Sequence, residues 1–221
     1  MKSLNHSINK KQIFIWILSA LPVLLTAIVY RALPAQIPTN WGIDKTVTYG
    51  DKSTIWLIAG MSPFLGTLFY FLPAIDPKKR NYINFMDAYQ SFQLFMQLFL
   101  LVITGIIVIE SFQPGTIKVS TVVCAMCGLL FVMMGNIMPK IQQNYFCGFK
   151  TPWTLSSEAV WNKTHRMGGK LFLAAGLIGF LGAFLPEDRW KMFGLLIPVI
   201  AAVTVPCVMS YVWFRREQRA L

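Results

Sequence analysis

Six apolar runs divide this chain: Ile13–Tyr30, Thr54–Leu72, Tyr89–Ile109, Val119–Ile137, Leu171–Leu185 and Met192–Phe214. A helix needs roughly 20 apolar residues to cross a bilayer, because each residue advances about 1.5 Å and unpaired backbone groups find no water in hydrocarbon. The fifth run is short. It reaches the required length only if Met167–Lys170 and Pro186 lie in the interface, with Lys170 snorkelling outward; a re-entrant hairpin of the last two runs is the alternative. The first run has the basic lead and apolar core of a signal peptide. It is long for that role and a span-sized run follows, so it reads as a retained helix. With 55% apolar and 13% charged residues, the disordered and ordinary soluble classes are excluded. The pattern predicts an all-α, polytopic membrane protein with six transmembrane helices. It forms one integral membrane domain over residues 1–221, with an outer loop at 31–53 and a cytoplasmic loop at 138–170.

A net charge of +11 would suggest nucleic acid in a soluble protein. Here it fits cytoplasmic segments held at an anionic leaflet, and no direct nucleic-acid partner is expected. Placing the N-terminus inside collects Lys2, Lys10, Lys11, Lys78, Lys79, Arg80, Lys140, Lys150, Lys163, Arg166, Lys170, Arg215, Arg216 and Arg219 on the inner side. The outer loops keep only Arg31, Lys45, Lys52, Lys118, Arg189 and Lys191. Both termini are therefore expected in the cytoplasm. Trp56 and Trp190 then fall near the outer interface, and Tyr70, Trp153, Trp161 and Trp213 near the inner one, where amphipathic rings belong.

The cysteines carry no disulfide framework. Cys124 and Cys127 form C-x-x-C inside the fourth run, Cys147 lies in the inner loop and Cys207 in the sixth run. A redox pair is one reading of Cys124 and Cys127. The other is small packing residues, with Gly128 and Gly135 on nearly the same face.

Polar residues concentrate in three places. The outer loop holds Pro38, Asn40, Trp41 and Gly42, a shaped segment that either lids the helix ends or binds a ligand. The third run carries Asp87, Gln90, Gln93 and Gln97 on one helix face. They serve as interhelical glue or line a polar cavity open to the cytoplasm, with Asp87 at its mouth and Asn136 and Lys140 sharing its floor. The third place is the segment 135–170, the longest polar interruption in the chain. Pro139 ends or kinks the fourth helix. Asn144, Tyr145 and Gly148 belong to a short extended piece, and Lys150, Thr151, Pro152, Trp153 and Thr154 lead into a turn. Ser156 or Ser157 caps a helix with Glu158 in its first turn, which runs to Met167 and stops at Gly168-Gly169. This interfacial amphipathic helix puts Glu158, Trp161 and His165 on one face, with Trp161 dipped into the headgroups and Arg166 near its end. A Glu158–His165 pair has the chemistry of general acid–base catalysis. A capped helix with an internal salt bridge explains the same residues. No H-E-x-x-H, G-x-S-x-G, Walker A or dinucleotide fingerprint occurs, and no cofactor, metal or catalytic residue is expected.

The pieces PKIQQNYFCGFKTPWTLSSEAVWNKTHRMGG (139–169), LPAQIPTNWGID (33–44) and DPKKRNYINF (76–85) resemble the SdpI family of bacterial membrane immunity proteins. Asn40 stands where the family usually has His, and Lys150 where it has Arg; the second change keeps the charge but loses bidentate geometry. The resemblance implies a multi-pass protein of the bacterial cytoplasmic membrane that protects against a secreted toxic peptide. It also implies a signalling role, in which a cytoplasmic repressor is recruited to the membrane. Membrane lipids are the remaining expected partner. A small transporter or flippase for peptide or lipid is the alternative function, and a membrane enzyme acting on lipid or peptide the second.

Overall fold

The computed structural model describes residues 9–220; Lys2 and His6 lie outside the described residues. The chain is mostly helical: α1 Lys10–Val29, α2 Thr54–Ile75, α3 Tyr82–Phe112, α4 Val119–Ile137, α5 Pro152–Ser156, α6 Glu158–Gly182 and α7 Asp188–Ala220. Five helices, α1, α2, α3, α4 and α7, are long and apolar enough to cross a membrane. Their outward faces carry Phe14, Ile28, Leu57, Phe64, Ile197 and Val208, all exposed. An apolar belt of this extent is what lipid, not water, accepts. Helices α1, α2 and α3 pack as one group and α4, α6 and α7 as another, with α3 and α4 joining them.

Helix α6 corrects the expectation for the inner loop. Ser157 caps it as expected, its side chain accepting the Val160 N–H, and Glu158 sits in the first turn. The helix then continues through Gly168-Gly169 to Gly182 instead of stopping. The separate interfacial helix and the fifth apolar run are thus two halves of one 25-residue helix. The reason is tertiary. A side chain at Gly168 would meet the Phe149 ring and Met138, and one at Gly169 would meet Pro139 and the Gly135 carbonyl. Both glycines serve close packing inside a helix, which outweighs their weak helix propensity. Helix α6 carries the fifth apolar run as far as Gly182, and α7 runs unbroken through the sixth. Pro139 behaves as expected: α4 ends at Ile137 and passes into a single 3-10 turn, Met138–Lys140.

The outer loop departs from all-α. Its strands β1 Gln36–Trp41 and β2 Val47–Asp51 form an antiparallel hairpin, with Gln36 opposite Asp51 and Trp41 opposite Val47. The register slips between Pro38 and Asn40, leaving one extra residue on β1. Pro38 has no N–H to offer the ladder, and a bulge is where such a residue is tolerated. Beneath the hairpin, Leu33, Ile37, Ile55, Ile107 and Val108 make an apolar cluster, with Trp41 packed against it.

Candidate functional site

The 138–170 segment folds around His165. Its Nε2 accepts the backbone N–H of Phe149 at 3.0 Å, so Nδ1 carries the proton and donates to the Trp161 carbonyl at 2.9 Å. The Trp161 ring stacks on the imidazole, centroids 4.0 Å apart, and its Nε1 donates to the Ile141 carbonyl at 2.8 Å. Both side chains are enclosed, Trp161 0% and His165 1% exposed. Trp161 is therefore a core residue and not a headgroup anchor: the turn 141–149 folds over it. Glu158 is exposed at the helix start, one end of the face on which His165 is buried. No salt bridge to Glu158 exists among the described residues, and both His165 nitrogens are held by backbone groups. The Glu158–His165 pair and the internal salt bridge are thus not assembled.

Gly148 makes this packing possible. Its backbone sits at φ +95°, and a side chain there would run into His165 Nε2. Around it, Asn144 is fully buried and its Oδ1 accepts the N–H groups of Phe146 at 2.9 Å and Cys147 at 2.6 Å. The loop is bent into turns by these bonds and forms no extended piece. Thr151 and Thr154 form a capping box on α5, and the Thr154 hydroxyl donates to the Phe149 carbonyl at 2.6 Å. Thr151 also meets the Ser210 hydroxyl on α7 at 3.0 Å, and Trp153 packs on Tyr211 with ring centroids 5.1 Å apart. Burial pushes the Cys147 thiol up to about 11, so it stays protonated and inert at neutral pH.

Sequence reasoning missed several members of this cluster. Asp76, 2% exposed, accepts from the Tyr145 N–H at 2.9 Å and the Tyr82 hydroxyl at 3.2 Å, and so ties the α2–α3 turn to the loop. Gln143 donates to the Thr154 and Leu155 carbonyls, both at 2.8 Å, and accepts from Lys78. The available signal was the DPKKRNYINF stretch, whose acid and tyrosine stand beside a basic run. The remaining expected residues, Asn136, Pro139, Lys140, Tyr145, Lys150, Pro152 and Arg166, are exposed on the same end of the molecule.

The buried imidazole makes the cluster pH-sensitive. Desolvation pushes the His165 pKa down to about 4, against a partial opposing pull from the Trp161 carbonyl. The folded state then binds fewer protons than the unfolded chain between about pH 6.5 and 4. Stability is flat above that window and falls as pH drops through it, by about 2–3 kcal/mol between pH 7 and 4.5. Thermal unfolding in neutral detergent should show this fall, and His165→Gln should flatten it. An unchanged wild-type midpoint over that range would contradict a neutral, backbone-locked imidazole.

The third-helix stripe lies between α1, α2 and α3. Gln90 bonds Asn9 and Gln12, Gln93 donates to the Phe69 carbonyl at 3.3 Å, and Gln97 accepts from Ser62. Gln12 Nε2, Gln93 Oε1, Gln97 Nε2 and Thr26 Oγ1 have no hydrogen-bond partner among the described residues. Asp87 lies outside this group, its side chain 93% exposed and paired with Lys11 at 2.7 Å. Asn136 and Lys140 are exposed and do not close a floor beneath the glutamines.

At the opposite end, a cleft of about 960 Å³ opens between the hairpin, the α3–α4 turn and the α6–α7 turn. Trp41, Asn40 and Gly42 reach it from β1 and the turn that follows, while Pro38 is buried. Its floor is a built polar node. Lys191, 5% exposed, donates to Asp188 at 2.8 Å, Thr121 at 2.8 Å and Ser120 at 3.2 Å. Glu110 holds the α3–α4 turn, accepting the N–H groups of Gly115 at 2.8 Å and Ile117 at 2.6 Å.

The family model described as the SdpI/YfhL protein family matches residues 140–210, which run from the His165 cluster through α6 and most of α7. Over 208 residues, 94% of this chain and 97% of the relative, the sequence is 25% identical to the immunity protein SdpI of Bacillus subtilis (strain 168). No solved structure matches the chain. The resemblance carried by the inner and outer motifs is thus borne out: the chain is similar to the SdpI immunity protein along most of its length, and the His165 cluster lies inside the stretch that the family model matches.

Proposed function

We propose that the protein resides in a bacterial cytoplasmic membrane and protects its cell against a secreted toxic peptide, which it meets at the hairpin end. The observation that carries this reading is the likeness to an immunity protein along 94% of the chain, hairpin included. In this reading the chain crosses six times. Helix α6 from Met167, with the turn up to Pro186, is the crossing that supplements the five more apolar helices, and the Lys and Arg asymmetry directs both ends inward. The hairpin then faces outside. Ile43, Val47 and Tyr49 stand exposed on it, above an anchoring apolar cluster. An exposed two-stranded ribbon with apolar side chains suits an extended peptide, which adds main-chain hydrogen bonds at a free edge. The inner end, with Lys140, Lys150 and Arg166 exposed, offers a basic face to lipid heads or to a cytoplasmic repressor. The buried His165 cluster shapes that face and performs no chemistry.

The test is survival of a sensitive bacterium expressing the protein and challenged with secreted toxic peptides, normalised to membrane-inserted protein. The Val47→Ala/Tyr49→Ala double variant should lose at least about tenfold in survival at unchanged protein level, since both side chains are exposed and add little to folding. Full protection by that variant at equal protein level rejects the hairpin as the meeting point.

A further inference from the structure

The cleft at the hairpin end has a charge balance that its lining does not resolve internally. Two acids border it, and both are occupied: Glu110 by two backbone N–H groups, Asp188 by Lys191 and Ser120. Two further cations, Lys45 on the hairpin turn and Lys118 before α4, are exposed and hold no salt bridge among the described residues. The surplus at the mouth is therefore positive.

Lys118 occupies the N-cap position of α4, where Ser, Asp or Asn would normally accept an orphan N–H, and no side chain caps this helix. The positive end of a 19-residue helix thus opens beside two ammonium groups that hold no salt bridge among the described residues. Polarity also changes along the lining. Ser120 and Thr121 lie in the first turn of α4, whereas Val123 and Cys124 come next along the helix, opposite Met192 of α7. Along α4 the lining passes from cationic to hydroxyl to apolar over about 8 Å, roughly one and a half helical turns. Phe184 and Leu185, exposed in the turn between α6 and α7, extend the apolar wall.

We propose that this cleft is a binding site for an anionic phospholipid, with the headgroup phosphate between Lys45 and Lys118 and an acyl chain against Val123, Leu185 and Met192. An anion on an apolar chain matches both halves of the gradient, and the ends of membrane helices are where headgroups lie. The volume, about 960 Å³, takes a headgroup and the upper part of one chain. The site does not depend on which peptide, if any, the hairpin meets.

The experiment is native mass spectrometry of the full chain, purified in neutral detergent and incubated with an equimolar mixture of phosphatidylglycerol and phosphatidylcholine. Wild type should retain phosphatidylglycerol in preference by about tenfold or more. Lys45→Gln/Lys118→Gln should bring the ratio close to one, at about fivefold per lysine. Both lysines are exposed, so the variant folds, which its unfolding midpoint checks. Lys150→Gln/Arg166→Gln, at the other end, should keep the preference. No preference in wild type, or the same preference in the cleft variant, overturns the proposal. So does an acidic peptide that binds in the cleft of a protein indifferent to headgroup, which would make it a peptide site.

Discussion

Gly148→Ala is expected to unfold the inner cluster and remove most of the protein from the membrane fraction. At φ +95° an L side chain costs about 1–2 kcal/mol in backbone strain alone. The added methyl also meets His165 Nε2, the atom that holds the Phe149 N–H. His165 cannot step aside, because Trp161 stacks on one face and its carbonyl holds Nδ1. Losing the Phe149 bond then orphans a buried N–H, worth a further 1–3 kcal/mol or so. A total of about 2–5 kcal/mol is a large fraction of the roughly 5–15 kcal/mol that holds an ordinary domain together. The measurement is the unfolding midpoint in detergent together with the amount inserted. A midpoint within a degree of wild type would mean that residues 146–149 move freely over α6, and the rigid cluster would have to be abandoned.

Gly176→Leu should be at least as severe, for a different reason. Helices α4 and α6 approach backbone to backbone: a side chain at Gly176 meets the Val132 N and Gly128 carbonyl, and one at Gly128 or Gly135 meets Phe180 or Leu173 of α6. The obstacles are backbone atoms, which no rotamer change relieves. Small residues at such a seam give membrane helices their packing energy, since apolar side chains gain nothing over lipid there. The variant should separate α4 from α6 and yield degraded or aggregated protein. Gly105→Ala in α3 is the control. Nothing lies within 4 Å of the new methyl, so it should be neutral or stabilising by about 1 kcal/mol. Equal loss in both variants would show a general intolerance of helix glycines and not a seam. Cys124 and Cys127 are free and partly buried on α4.

Local chemistry made much of this legible. Ser157 capping α6, Glu158 in its first turn and Pro139 closing α4 follow from single-residue preferences that act within one turn. The hairpin was within reach too. Val47 and Tyr49 alternate after a turn containing Gly42 and Asp44, a pattern obscured by Pro38 on the first strand. The site was legible as a location but not as an arrangement. Asn144, Thr154, Trp161 and His165 stood out as polar or amphipathic residues between apolar runs, and on polarity alone they read as surface. They are buried because each polar atom has a partner supplied by a distant part of the chain or by a bend that only the packing creates.

What the sequence by itself determined is the set of long apolar segments, the bias of Lys and Arg among the connections, and the capped start of α6. Those are sums over neighbouring residues, and lipid acts on them segment by segment. Only the tertiary structure decided that Gly168-Gly169 continue a helix and that Trp161 turns inward. It also decided that Asp76 holds Tyr145 and that Thr151 meets Ser210 across 59 positions of sequence. A glycine stops a helix or opens a seam according to what faces it. A polar side chain is a ligand group or a brace according to whether its hydrogen bonds are already taken, and in the His165 cluster they are taken by backbone groups that the chain brings there only when folded.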